Sequence, residues 1–208
     1  MKPAYISTAY LGPVQQYSKM FHFPEVRIET SENYLKQSYR NRCIIAGANG
    51  PLPLSVPIVK PDTLKCLTKD IRISDHGNWR HLHWNAIVSA YNSTPFFEYY
   101  EDDFAPFYEK KYEFLFDFNE ELRMLICQLL DIQPQIQYTT SFEADVENDF
   151  RWISPKQDIA DPSFLLKPYY QVFQDKHGFL PNLSIIDLLF NMGPESLLVL
   201  QQSTSKLS

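Results

Sequence analysis

"AYISTAYLGPVQQYSKMFHFPEVRIET", residues 4–30, is the stretch that decides the fold. "AYIST" (4–8) reads as a short strand. Residues 9–23 place Val14, Tyr17, Met20 and Phe21 at helical spacing, and Pro13 suits a first helical turn. "PEVRIET" (24–30) then alternates Val26 and Ile28 with polar residues, as a strand does. Strand, helix and strand in that order seed a parallel pair joined by a right-handed crossover.

The pattern continues along the chain. Leu52, Leu54, Val56 and Ile58 alternate with Pro53, Ser55 and Pro57. Prolines donate nothing to a ladder, so this is an edge strand. "IRIS" (71–74) is another short strand. Residues 78–92 read as a helix capped by Asn78, with Trp79, His83, Ile87 and Tyr91 stacked on one face. The aromatic run that follows is helical from about 102 to 114. Residues 117–132 give the clearest helix. Its apolar face holds Leu122, Leu125, Ile126, Leu129 and Leu130, and Asp117 and Glu120 have the offset of a capping box. Residues 136–142 and 168–173 read as strands, 143–157 as an exposed loop, and 181–200 as a helix stopping at Gly193-Pro194. The expected class is α/β: a mixed, largely parallel sheet with an N-terminal strand-helix-strand unit and helices crowded into the C-terminal half. At 208 residues the chain is expected to form one domain, 1–208.

Composition limits the partners. A net charge of -6 argues against binding along a nucleic-acid backbone, though not against one local anion site. Thirteen Tyr and fifteen Phe suit either a half-covered core or a polar pocket lined with rings. Three cysteines without a CxxC read as reduced thiols. The N-terminus lacks the apolar run of a signal peptide, and no stretch approaches the roughly 20 apolar residues of a membrane span. A cytoplasmic location is expected. No dinucleotide fingerprint, Walker loop, G-x-S-x-G or H-E-x-x-H occurs.

Four groups of residues remain as candidate chemistry. Arg40 and Arg42 flank Asn41, with Lys36 and Tyr39 before them. In an extended chain the two guanidiniums share a side and suit one anion; pairing with surface carboxylates is the bland alternative. His76, His81 and His83 cluster, but His81 and His83 fall about 200° apart on a helix and do not chelate together. A buried, hydrogen-bonded His83 is the default; a pocket acid or base and a metal ligand are the others. Asp149, Arg151 and Lys156 sit in a loop, and loops carry both function and ordinary charge. Ser184, Asp187 and Asn191 make a polar stripe on an apolar helix, which solvent exposure explains equally well.

Taken together, "STAYLGPVQQYSKM", "ENYLKQSYRNRCIIAGANGPLPLSVPI", "WRHLHWNAIVSAYNSTPFFEYY", "NDFRWISPK" and "YYQVFQDKHGFLPNLSIIDLLFNMGPE" resemble the WbqC-like protein family over nearly the whole chain. One departure stands out. Many members have His-Gln-Pro where Ser7, Thr8 and Ala9 stand here, and Gly12 replaces a proline. The resemblance implies a link to O-antigen and other surface polysaccharides, with a glycine-type (aminoacyl) transferase role suggested for the family. It leaves cofactor and metal unspecified.

Three functions follow as expectations. The first is a transferase placing a small acyl or aminoacyl group on a nucleotide-linked sugar. Arg40, Arg42, Arg151 and Lys156 would hold the anion, with Lys36, Asn41 and Asp149 beside them. His83 would be general base, with Asp187 the second catalytic candidate. Tyr39, Trp79 and Tyr91 would stack on the ligand, and Tyr10, Tyr170, Gln171 and Ser184 join the binding set through the family phrases. The second is a nucleotidyl-type transferase. The third is a non-catalytic module holding a pathway intermediate or a pathway enzyme.

Overall fold

A computed structural model describes residues 2–61, 63, 65–156 and 160–204. Gln157, the last residue of the expected 143–157 loop, lies outside them.

The opening unit forms as its pattern dictates. β1 (Ala4–Ser7) leads through α1 (Val14–His22) to β2 (Glu25–Glu29), and β1 and β2 pair in parallel with Ile6 opposite Ile28. Every residue of α1 from Val14 to Met20 is buried, polar ones included. A helix covered on all sides must lie between layers. Here the sheet is on one side and the last two helices, α6 (Ile185–Met192) and α7 (Ser196–Gln202), pack on the other.

Between these ends come the hairpin β3 (Arg42–Gly47) and β4 (Gly50–Ser55), then helices α2 (Trp79–Tyr91), α3 (Phe97–Glu109) and α4 (Leu115–Leu129). β5 (Gln135–Tyr138), β6 (Asn148–Asp149) and the short α5 (Gln174–His177) complete the elements. The main sheet has the order β5-β2-β1-β6, and each of its pairings is parallel. The hairpin is a separate antiparallel pair, turned at Ala48-Asn49, with Gly50 in a positive-φ conformation that L side chains rarely adopt. Val56 N–H donates to the Asn41 carbonyl. Period two then turns Leu54 and Leu52 towards β3 and leaves the missing N–H groups of Pro51 and Pro53 on the outer edge.

Some expectations are corrected. Ile71 and Ile73 are buried and Arg72 is exposed, as a strand requires. Yet 71–74 forms only single bridges, Arg72 to Phe114 and Ile73 to Ile58, because no partner runs alongside. Residues 168–173 form no strand either; Gln171 is bound instead by side-chain contacts. The 143–157 segment is more than loop, since β6 within it pairs with β1. The aromatic helix is α3, five residues earlier than expected at both ends. Phe114 starts α4, which puts Asp117 inside its first turn and not at a cap. Asn78 does precede α2, but with left-handed backbone and no side-chain cap bond. The stripe Ser184, Asp187 and Asn191 is buried, not solvated.

The core runs from Ala4 and Ile6 through Ile87, Phe104 and Phe118 to Leu188 and Leu200. Trp79, His83, Ile87 and Tyr91 all face it. Among the described residues no helix is long and apolar enough to cross a membrane.

Candidate functional site

In a parallel sheet all strands end at one edge, and ligands of open α/β sheets bind outside those carboxyl ends. Here Ser7 ends β1, Glu29 ends β2 and Asp149 ends β6. A cleft of about 480 Å³ opens beside these ends, lined by Glu32, Leu35, Arg40, Phe142, Asp149 and Arg151 among others. The volume suits a small-molecule ligand.

Two buried arginines organise it. Arg40 is 3 % exposed. Its Nε donates to Glu32 Oε1 at 2.7 Å, and its Nη2 donates to Glu32 Oε2 and, at 2.8 Å, to Ser7 Oγ. Its Nη1 makes no hydrogen bond to any described residue. Ser7 in turn donates to Glu32 Oε2 at 3.0 Å. The Ser7 hydroxyl is therefore locked into the Arg40-Glu32 pair.

Arg151 is the second. Its Nη1 donates to Glu29 Oε2 at 2.9 Å. Its Nε and Nη2 grip both oxygens of Asp149 at 2.9 and 2.7 Å, and Nη2 also reaches the Glu143 carbonyl at 2.8 Å. Burial alone would raise the Asp149 carboxyl; the Arg151 bonds outweigh it and hold the group below its ordinary value. Arg151 is pushed up, first by the Asp149 bond. Its guanidinium also lies 4.6 Å from the Phe142 ring centroid.

Lys36 and Lys156 differ. Lys36 follows the lining residue Leu35, is exposed, and makes no ion pair among the described residues. Lys156 is hydrogen-bonded to Gln37, one residue further on, and likewise has no carboxylate partner among them. The cleft arginines are thus paired with carboxylates, and these two lysines are not.

The other expected residues lie elsewhere. Arg42 donates to Ser55 Oγ across the hairpin and does not line the cleft. The turn at residues 39–40 is the reason: Arg40 is not in extended chain, so the two guanidiniums do not share a side. Asn41 binds the Val56 carbonyl at 2.8 Å. Tyr39 is buried, lifted to about 12 by burial, and its carbonyl accepts from Tyr10 N–H. Tyr10, Trp79 and His83 belong to the aromatic core. The Tyr10 hydroxyl lies 2.9 Å from both His83 Nδ1 and the Tyr108 hydroxyl, and Trp79 meets His83 edge to face. Burial lowers His83 to about 4 against a backbone hydrogen bond at Ser55, so it is a neutral core histidine.

Asp187 centres a second network. Tyr91 donates to its Oδ1 at 3.0 Å, and Tyr169 and Gln171 donate to its Oδ2 at 2.7 and 2.8 Å. Burial still raises Asp187 to about 6. Ser184 donates to the Leu11 carbonyl, and Tyr170 stays exposed. None of these lines the cleft.

So Arg40, Asp149 and Arg151 meet at one cleft, and Lys36 and Lys156 are not among its lining residues. Ser7, Glu29, Glu32 and Phe142 were missed. A charge count could have found the acids: two buried arginines require buried carboxylates, and Glu29 ends β2 with Glu32 three residues beyond it.

A sheet of parallel strands packed with helices, with a polar cleft at its carboxyl edge, defines an α/β protein of the open-sheet kind. The chain belongs to the WbqC-like protein family, whose model matches residues 10–161. It is also similar to the uncharacterized protein Rv1507c of Mycobacterium tuberculosis (strain ATCC 25618 / H37Rv). The two are 25 % identical over 222 residues, which cover 94 % of this chain and 95 % of that protein. No solved structure matches the chain.

Proposed function

We propose that the cleft holds a nucleotide-linked sugar and that the protein transfers a small acyl or aminoacyl group to that sugar during surface-polysaccharide synthesis. The observation carrying this reading is the meeting of Arg40, Asp149 and Arg151 at one cleft on the carboxyl edge of the sheet. Each guanidinium is already matched by a carboxylate, so the interior offers donors and acceptors side by side. Sugar hydroxyls and amines need that mixture, whereas a bare phosphate would compete with Glu32 and Asp149. The uncompensated Lys36 and Lys156 suit the diphosphate. As the sugar amine or hydroxyl bonds to the acyl carbon and the donor's leaving group departs with the displaced proton, the open Nη1 of Arg40 suits the oxyanion that develops on the acyl oxygen.

Calorimetric titration with UDP-, GDP- and dTDP-sugars tests the binding half. Incubation of the bound sugar with labelled glycyl and acetyl donors tests the transfer half. Saturable binding that weakens in Lys36→Ala/Lys156→Ala, followed by label on the sugar, is expected. No binding across the panel would sink the reading. Binding without transfer would favour a carrier or pathway-enzyme module instead. The parallel strand order also suits nucleotidyl transfer, but the first turn of α1 holds no histidine, the nearest being His22 at its far end. Metal-dependent incorporation of a labelled nucleoside triphosphate would favour that alternative.

A further inference from the structure

Phe142 is 53 % exposed and lines the cleft from the segment between β5 and β6. Leu35, 57 % exposed, lines the same cleft from the segment after β2. Single exposed apolar side chains are ordinary. Two that border one polar cavity are not scattered. The Phe142 ring also has a fixed backing: the Arg151 guanidinium lies 4.6 Å from its centroid, and Asp149 and Glu29 hold that guanidinium still. A ring anchored on one side and wet on the other is a ready stacking surface.

We propose that Phe142 is the platform on which the purine or pyrimidine base of a nucleotide stacks, with Leu35 as the flanking wall. This rests on the nucleotide-sugar reading and assigns the part of the ligand that reading leaves open. The cleft is graded in polarity. Its polar groups Glu32 and Arg40 are buried, its apolar side chains Leu35 and Phe142 are exposed, Lys36 directly follows Leu35, and Lys156 is hydrogen-bonded to Gln37. A nucleotide-linked sugar has the same gradient: hydroxylated ring, diphosphate, flat base. Placing the base on Phe142 leaves each end of the ligand with matching groups. A base has a π-face whatever its hydrogen-bonding edge, so this platform supplies affinity without choosing among bases.

Phe142→Ala and Phe142→Trp in the full chain test it, titrated with UDP, ADP and methyl diphosphate, which has no base. Phe142→Ala is expected to weaken UDP and ADP roughly ten- to hundredfold. Phe142→Trp is expected to keep them, and methyl diphosphate should bind all three proteins alike. Equal UDP and ADP binding by Phe142→Ala and the unsubstituted chain overturns the platform. So does an equal loss for methyl diphosphate, which would mark Phe142 as a packing residue. If Phe142→Ala weakens N-acetylglucosamine but neither nucleotide, the ring serves the sugar and the inference fails. Nucleotide-sugar binding that survives Phe142→Ala but is lost in Lys36→Ala/Lys156→Ala overturns this inference alone. Absence of all binding by the unsubstituted chain removes the underlying reading with it.

Discussion

Arg40 and Arg42 are two residues apart, yet substitution should affect them very differently. Arg40 is buried against Glu32 and Ser7. Arg40→Ala strands a buried carboxylate, and breaking such a pair costs about 3–5 kcal/mol. Arg42 makes a single bond to Ser55 at the hairpin surface, so Arg42→Ala should cost less than about 0.5 kcal/mol. Urea unfolding of both variants checks this; comparable losses would contradict it. His83 and Asp187 give a second residue-scale expectation. The folded chain keeps His83 neutral down to about pH 4, while the unfolded chain takes up that proton near 6.5. Stability from His83 therefore falls as pH drops from 6.5 to about 4. Asp187 keeps its proton up to about 6 when folded but only to 3.8 when unfolded, so its contribution falls as pH rises through that range. The two slopes oppose each other between about pH 4 and 6, each worth on the order of 3 kcal/mol. Compared with the unsubstituted chain, His83→Phe should lose stability as pH rises across that window, and Asp187→Asn should gain it. Unfolding midpoints at pH 4, 5 and 6 read the slopes; unchanged slopes in both variants would refute the assignment.

Among the elements, α1 depends on one buried charge. Lys19 is 1 % exposed, and its Nζ donates to Asp161 and Ser163, each at 2.7 Å, over the Phe150 ring. Burial lowers its pKa, with Asp161 pulling the other way. The pair ties the segment after β6 to α1. Lys19→Met should destabilise by about 3 kcal/mol by leaving the Asp161 charge without its cation, with only the Gln15 and Ser163 bonds, and Lys19→Met/Asp161→Asn should recover part of that. Hydrogen exchange should quicken at residues 160–165 in the single variant more than in the double. An equal rise in both would mean that the pair is not what holds the segment. The elements that long-period patterning specifies were legible: β1, α1, β2, the buried face of α2, the apolar face of α4 and the stop at Gly193-Pro194. β6 was not, because two residues carry no period. Its strand character comes from β1, whose Tyr5 carbonyl accepts from Phe150 N–H just past its end. Residues 71–74 failed in the opposite way: the local alternation is real, but a strand also needs a partner. At the site, Arg40, Asp149 and Arg151 were visible as clustered charge. Glu29, Glu32 and Phe142 stand singly in the sequence and become neighbours only through the sheet.

Over the whole molecule, the acidic balance and the lysines Lys36 and Lys156 make opposing demands on an anionic ligand. With a net charge of -6, approach relies on the local field of Lys36 and Lys156. Nucleotide-sugar affinity should therefore fall as salt rises from about 0.05 to 0.5 M, and fall less in Lys36→Ala/Lys156→Ala. Titrations at three ionic strengths decide this; the same dependence in both proteins would place the phosphates elsewhere. The position of the cleft also sets when it comes into being. Arg151 joins Glu29 across a sequence separation of 122 positions. During synthesis β1, α1 and β2 can emerge and pair long before residue 151 leaves the ribosome, and loop closure over that span comes late. Until then Glu29 is a bare acid at the edge of a half-built sheet, so a nascent or truncated chain ending before β6 holds the scaffold of the site without its second arginine.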